Sequence, residues 1–198
     1  MARIQTNKDI SRKDVIVQAA ANLFLEKGYK AASMRDLAER VGVEAASLYN
    51  HIRSKTELLH DICFAVANRY WEHMSQVEAM DNPVINKIEA LLRFQINQMI
   101  YNYAEVHVSD REWRHLAEPY LSNYQTQRRN YRKRFAALVE QGIEQGQIKN
   151  IDAPTAVLIM LHAVSGIESW HRSKKKINDE ALEENMITIM LDGLRKQP

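Results

Sequence analysis

Three times in its first sixty residues this chain sets a serine three positions ahead of an acidic side chain: Ser11 with Asp14, Ser33 with Asp36, and Ser54 with Glu57. That spacing, placed just before an apolar run, closes the unpaired N–H groups at a helix start. Each pair is followed by apolar residues at helical intervals. Ile16, Ala19, Ala20, Leu23 and Phe24 form the first stripe, and Gly28 supplies a left-handed stop. Met34, Leu37, Ala38 and Val41 form the second, which Gly42 interrupts after about two turns. A third short helix is predicted over Glu44 to His51. A long one then runs through Leu58, Ile62, Val66, Tyr70 and Val77.

The later segments follow the same logic. Asn82-Pro83 reads as an N-cap and first helical position, ahead of Ile85, Ile88, Leu92, Ile96, Met99 and Tyr103. Ser109 with Glu112 reads as the start of a short segment that Pro119 ends. Tyr124, Arg128, Tyr131, Phe135, Leu138 and Gly142 line one stripe of a long helix that stops near Gly146. Asp152 and Pro154 open a penultimate helix, and Asn178 caps the last. Lys174 to Lys176 reads as a loop between helices, and Met1 to Ile10 as a mobile arm.

Composition excludes other classes. The 198 residues are 45% hydrophobic and include six Gly and four Pro, so hairpin turns are scarce and strand alternation is short-lived. No apolar run approaches the roughly 18 residues that a membrane helix needs, and Met1 opens no signal-peptide pattern. The single cysteine, Cys63, forms no intrachain disulfide and suits the cytoplasm. Through His60 there are ten Lys/Arg against seven Asp/Glu, and beyond it 17 against 18. The small positive excess lies in the first third, where a polyanion would want it.

Two short helices meeting at Gly42, between two longer ones, form a helix-turn-helix layout. Val43 follows the turn and Leu48 packs the second short helix inward, which would lay that helix in a DNA major groove. The stretch Ser33 to Leu59, SMRDLAERVGVEAASLYNHIRSKTELL, resembles the TetR family of bacterial regulators. The matching elements are Ser33, Leu37-Ala38, Gly42-Val43, Leu48-Tyr49-Asn50-His51-Ile52 and Ser54-Lys55-Thr56-Glu57-Leu58. The resemblance implies an all-α fold of about nine helices. Residues 1–53 would form the DNA-binding domain, and 54–198 a helical ligand-binding and dimerisation domain. It implies phosphate contacts from Tyr49, His51 and Lys55, with hydroxyl and amide groups from Ser33, and base-edge or sugar-phosphate contacts from Ser47 and Asn50. The usual lysine-glycine pair is replaced by Ala45-Ala46 and the usual phenylalanine by Ile52. Alanines touch thymine methyls but form no hydrogen bonds to bases, so specificity is expected to lean on Arg35, Ser47, Asn50 and DNA shape.

The penultimate helix, Thr155 to Val164, is apolar nearly all round, and the last has a wide apolar face through Leu182, Met186, Ile187, Ile189, Met190 and Leu191. A second copy is the expected partner, giving a homodimer with two recognition helices on a palindromic operator. Between head and dimer helices, aromatics mingle with Arg111, Arg114, Arg128, Arg129, Arg132, Lys133 and Arg134. Bulky apolar residues beside arginine suit an amphipathic anion. The segments Asp110-Arg111-Glu112-Trp113-Arg114-His115-Leu116 and Arg128-Arg129-Asn130-Tyr131, with Trp170, resemble a TetR subgroup that controls fatty-acid, phenylacetate and steroid degradation. That resemblance implies release from DNA by an acyl-CoA thioester, with Arg111, Arg128 and Tyr131 in recurrent positions. Ser165-Gly166 departs from the subgroup's Asn-Trp. The expected effector residues are Phe94, Arg111, Trp113, Arg114, Tyr124, Arg128, Tyr131, Gly166 and Trp170.

Two other classes leave traces. Glu112/His115 and Glu168/His171 share the Glu-x-x-His spacing of helical di-metal carboxylate enzymes. Such a site also needs a glutamate from each of two other helices; Glu89 and Glu140 are available, but no pattern marks them as inward. A helical DNA-binding protein without a small-molecule ligand is the other alternative. No Walker loop, nucleophile elbow or His-Glu-x-x-His stands in the sequence, and neither catalysis, a resident metal nor a cofactor is expected.

Overall fold

The computed structural model describes residues 11–173 and 177–194; the expected arm at Met1 to Ile10 and the Lys174 to Lys176 loop lie outside the described residues. Among the described residues there are ten α-helices, one 3-10 turn and no β-strand. In chain order the helices are α1 (Arg12–Lys27), α2 (Met34–Val41), α3 (Ala45–Leu48), α4 (Lys55–Ala79) and α5 (Val84–Tyr101). They continue as α6 (Tyr103–Arg111), the 3-10 turn Trp113–His115, α7 (Tyr120–Glu144), α8 (Ala153–Ser165), α9 (Ile167–Arg172) and α10 (Asp179–Leu194). No described helix is long and apolar enough to cross a membrane.

The chain forms two compact units. The first holds the described residues up to Val66 together with Ala104–Ser122; the second holds Ala67–Tyr103 and the described residues from Asn123 onward. In the first unit Ser11 and Ser33 cap α1 and α2 with both reciprocal bonds of a capping box. The third pair works differently. Ser54 Oγ accepts the Glu57 N–H at 3.1 Å, but the Glu57 carboxylate reaches the N–H of Arg53, at 2.7 Å. Ile16, Leu23, Phe24, Leu37, Leu48, Ile52, Leu58, Leu59 and Ile62 are buried together. Each such side chain contributes roughly 1.5–3 kcal/mol on full burial.

In the second unit α5 is buried on more than one face, through Ile88, Leu91, Leu92, Ile96 and Met99, and packs against α8, α9 and α10. Arg93 on α5 holds three carboxylates, those of Glu89 (2.8 Å), Glu183 (3.2 Å) and Glu184 (2.6 Å), two of them on α10. At the end of α7 a Cβ on Gly142 would stand 2.5 Å from the Ile148 side chain. The missing side chain lets the next turn fold back, so that Gln147 and Ile148 N–H groups both donate to the Gly142 carbonyl.

Three local expectations are corrected. Pro83, not Asn82, takes the cap position of α5, which begins at Val84. Ser109 starts nothing; it is buried inside α6, where Val106 and Val108 keep the turn helical by their own burial. The α-helical part of the recognition segment is shorter than Glu44 to His51, spanning Ala45–Leu48, with turn geometry continuing to His51. The penultimate helix is found where expected, as α8, and after Gly166, where a Cβ would lie 3.0 Å from the Ala163 carbonyl, α9 follows as an additional short element.

Gly42 ends α2 at φ +75°, with its N–H bonded back to Ala38 and Glu39, and nothing lies within 4 Å of where a Cβ would stand. Since space is free, only backbone strain opposes a side chain there. Gly42→Ala is expected to lower stability by about 1 kcal/mol, measured by urea denaturation.

Candidate functional site

The turn between α2 and α3 fixes which side chains face outward. Leu48 is buried, while Ala45, Ala46, Ser47, Asn50 and His51 are exposed and Tyr49 is 53% exposed. Leu48 therefore anchors the segment, and the residues expected to meet DNA are open to solvent, as is Arg35 on α2. Ala45 and Ala46 add small, apolar, exposed side chains to the same segment as the polar Ser47 and Asn50.

Two expected phosphate ligands are already engaged. Ser33 Oγ–H donates to Asp36 at 2.7 Å while its oxygen accepts the Asp36 N–H at 3.1 Å. The Lys27 ammonium lies 2.8 Å from the same carboxylate. Lys27, then Ser33, hold the Asp36 carboxyl well below the usual carboxylate range. The charge is thus retained in acid, and whatever stability it confers is present above the ordinary aspartate pKa and lost only as pH falls through the lowered one. Lys55, half-buried, donates to the carbonyls of Tyr29 (2.9 Å), Lys30 (3.3 Å) and Ala32 (2.8 Å). Its ammonium also stands 4.5 Å from the centre of the Tyr29 ring.

Tyr29 is the residue that sequence reasoning missed. Besides Lys55 it meets Phe24 edge-on at 5.3 Å and stacks on His115 at 5.4 Å. Its N–H donates to Glu112 Oε1 at 3.3 Å, and Glu112 pairs with His115 at 3.1 Å. Glu112 and His115, half of the di-metal spacing, are thereby occupied within the first unit. Their counterparts Glu168 and His171 are held in the second, by Arg172 at 3.1 Å and by the Met99 carbonyl at 2.7 Å. Among the described residues no three His, Cys, Asp or Glu side chains are grouped to hold a metal ion. No local signal marks Tyr29, since its hydrogen-bond partners lie 26 and 83 residues away.

The expected effector residues divide between the units. Arg111, Trp113 and Arg114 fall in the first, where the Arg114 guanidinium lies 4.7 Å from the Trp113 ring. The other six fall in the second, in three groupings. Phe94 and Tyr131 meet through Tyr70, at 5.6 and 5.9 Å, and His73 stacks on Phe94 at 4.0 Å. Tyr124 is buried with the Arg128 guanidinium 5.7 Å from its ring. Trp170 meets His171 and donates to the Ile177 carbonyl at 3.2 Å, while Gly166 is exposed at the α8–α9 break. In the first group Gln95 Nε2 donates to the Tyr131 hydroxyl at 2.9 Å, both residues being buried; burial pushes the phenol's pKa up. Cys63 is a buried thiol.

An exposed recognition segment on a buried leucine, after a left-handed glycine turn and two capped helices, defines a helix-turn-helix DNA-binding regulator. Comparison makes the class specific. Residues 16–62 match the family of bacterial regulatory proteins of the tetR type, and residues 81–194 match the tetracyclin repressor-like C-terminal domain. The chain belongs to the TetR family, whose members are DNA-binding transcription regulators and not enzymes. It is similar to the transcriptional repressor KstR2 of Mycobacterium tuberculosis, at 23% identity over 190 residues and 94% of each chain. The ketosteroid regulator KstR2 of that organism has a solved structure with TM-score 0.88 and 21% identity, covering 98% of this chain and 100% of that one. A structure of AibR in complex with isovaleryl coenzyme A and operator DNA aligns with TM-score 0.79 and 25% identity, covering 90% of this chain and 97% of the other.

Two substitutions test these assignments. Lys55→Met removes a cation from three carbonyls and is expected to cost about 1.5–3 kcal/mol in urea denaturation. Since the ammonium is engaged, the salt dependence of DNA binding should keep its slope, where loss of a phosphate contact would reduce it by about one. Tyr131→Phe strands the buried Gln95 amide and is expected to cost about 1–3 kcal/mol by the same measurement.

Proposed function

We propose that this protein is a ligand-released repressor that holds a palindromic operator as a homodimer and lets go when an amphipathic effector, an acyl-CoA thioester, binds. In this reading residues 1–53 read DNA, and residues 54–198 sense the effector and dimerise. It works in the cytoplasm, where its operator is.

The DNA half of the reading rests on one observation, the burial of Leu48 beneath the exposed Ala45, Ala46, Ser47, Tyr49, Asn50 and His51. Tyr49 and His51 contact phosphates. Arg35, Ser47 and Asn50 supply hydrogen bonds to base edges or the backbone, and Ala45 and Ala46 pack on thymine methyls. Ser33 and Lys55 act mainly by fixing the starts of α2 and α4, Ser33 through its capping bonds and Lys55 through its ammonium on three protein carbonyls. Dimerisation is supported by exposed aliphatics on the last long helices: Leu158 and Ile159 on α8, the latter 63% exposed, and Ile189 on α10, 75% exposed. Large apolar side chains left in water on two helices are what a second copy would cover.

The effector class is supported by the likeness to AibR, a protein solved with isovaleryl coenzyme A and operator DNA, by the aromatic grouping of Phe94, Tyr70 and Tyr131, and by the Arg128 guanidinium beside the Tyr124 ring. Release is linkage: the ligand favours a dimer state whose two recognition helices no longer match one DNA turn of about 34 Å.

Selection of bound DNA from a random pool, repeated with a panel of acyl-CoA thioesters, tests the reading as a whole. A palindrome should be recovered, and one thioester should abolish its retention. A palindrome unaffected by every thioester would leave a DNA-binding protein with another effector or none. Ile159→Glu is expected to sediment as a monomer and to bind the selected palindrome at least about tenfold more weakly.

A further inference from the structure

The second unit carries a cleft of 250 Å3 that none of the expected effector residues lines. Its walls are Trp71 from α4 and Asn123, Thr126, Gln127 and Asn130 from α7. The α7 residues recur at intervals of three and four, so they form one continuous helix face. The combination is chemically specific: one indole, three carboxamides and one hydroxyl, with no aliphatic side chain among them.

The cleft is held in shape. The Arg134 guanidinium lies 4.3 Å from the Trp71 ring and is itself fixed by Glu78 at 2.9 Å and Ser75 at 3.0 Å. Gln127 Nε2 donates to Asn68 Oδ1 at 3.0 Å. Trp71 nevertheless remains 37% exposed. Cations flank the same helix face. Arg129 donates to the Thr126 hydroxyl at 3.3 Å, and Lys133, one turn beyond Asn130, is exposed.

A flat π surface takes a flat ring, and carboxamides read a ring edge that offers both donors and acceptors. Cations beside them take phosphate. Sites for whole drug-sized ligands run about 300–1,000 Å3, so this smaller cleft suits one part of a ligand whose remainder continues elsewhere. We infer that the cleft seats a purine nucleotide, with its base on Trp71, its edge against Asn123, Gln127 and Asn130, and its phosphate near Arg129 and Lys133. The occupant is the 3′-phosphoadenosine end of the acyl-CoA effector, an assignment that rests on the reading proposed above.

Isothermal titration of the full-length protein with adenosine 3′,5′-bisphosphate, AMP and isovaleryl-CoA tests this. The bisphosphate should bind. Trp71→Ala and Asn130→Ala should each weaken it at least fivefold, and Trp71→Phe should keep most of the affinity; circular dichroism checks that each variant is folded. Isovaleryl-CoA should lose affinity in Trp71→Ala by a similar factor. Absent bisphosphate binding, or binding unchanged in both alanine variants, overturns the site. If isovaleryl-CoA binds wild type and Trp71→Ala equally, the effector class stands and the cleft assignment falls. If the bisphosphate binds through Trp71 and no acyl-CoA binds, the nucleotide cleft stands and the effector reading falls. AMP binding as tightly as the bisphosphate supports the cleft with a free nucleotide as its source.

Discussion

Three backbone carbonyls, those of Tyr29, Lys30 and Ala32, converge on the ammonium of Lys55. The DNA-facing surface depends on that arrangement. The segment that leads from α1 into α2 has no regular structure to satisfy its own carbonyls, and a partly buried acceptor left without a donor costs about 1–3 kcal/mol. A lysine answers three of them at once and sets its charge over the Tyr29 ring as well. The start of α4 is thereby tied to the entry of α2, and α2 in turn carries Gly42 and the turn into α3. A residue whose position suggests a phosphate ligand thus orients the elements that do the reading.

What was legible in the sequence was local. The boxes at Ser11 and Ser33 are bonds between residues three apart, so their spacing alone discloses them. Gly42 stands where an L side chain would be strained, and its identity announces the turn. The family pattern rests on these same short-range features, which is why the turn at Gly42 and the buried Leu48 could be read from the sequence. Elsewhere burial overrides the same spacing. Ser109 and Glu112 stand three apart like a cap, yet Ser109 is sealed within α6, and Glu112 serves Tyr29 instead.

The effector region was less legible because charge runs in sequence do not stay together on a helix. Arg128, Arg129 and Arg134 look like one basic cluster. In the fold they diverge, to the Tyr124 ring, to the Thr126 hydroxyl, and to Glu78 with the Trp71 ring. Successive helical residues are separated by about 100°, so a run of cations becomes several sites of different chemistry. The buried Gln95–Tyr131 bond is equally invisible in sequence, since glutamine on an apolar stripe gives no hint of its partner.

The acceptor for the Tyr29 N–H comes from residue 112, and the ring stacked on Tyr29 from residue 115. The first compact unit is therefore discontinuous in sequence, and its contacts run past the point where the family's N-terminal pattern ends. An excised fragment stopping at Val66 would lack Glu112 and His115, leaving one face of Tyr29 and its amide to water. Fusing this head to a foreign sensor would transplant the letters of the recognition helix without the bracket that holds its base in place.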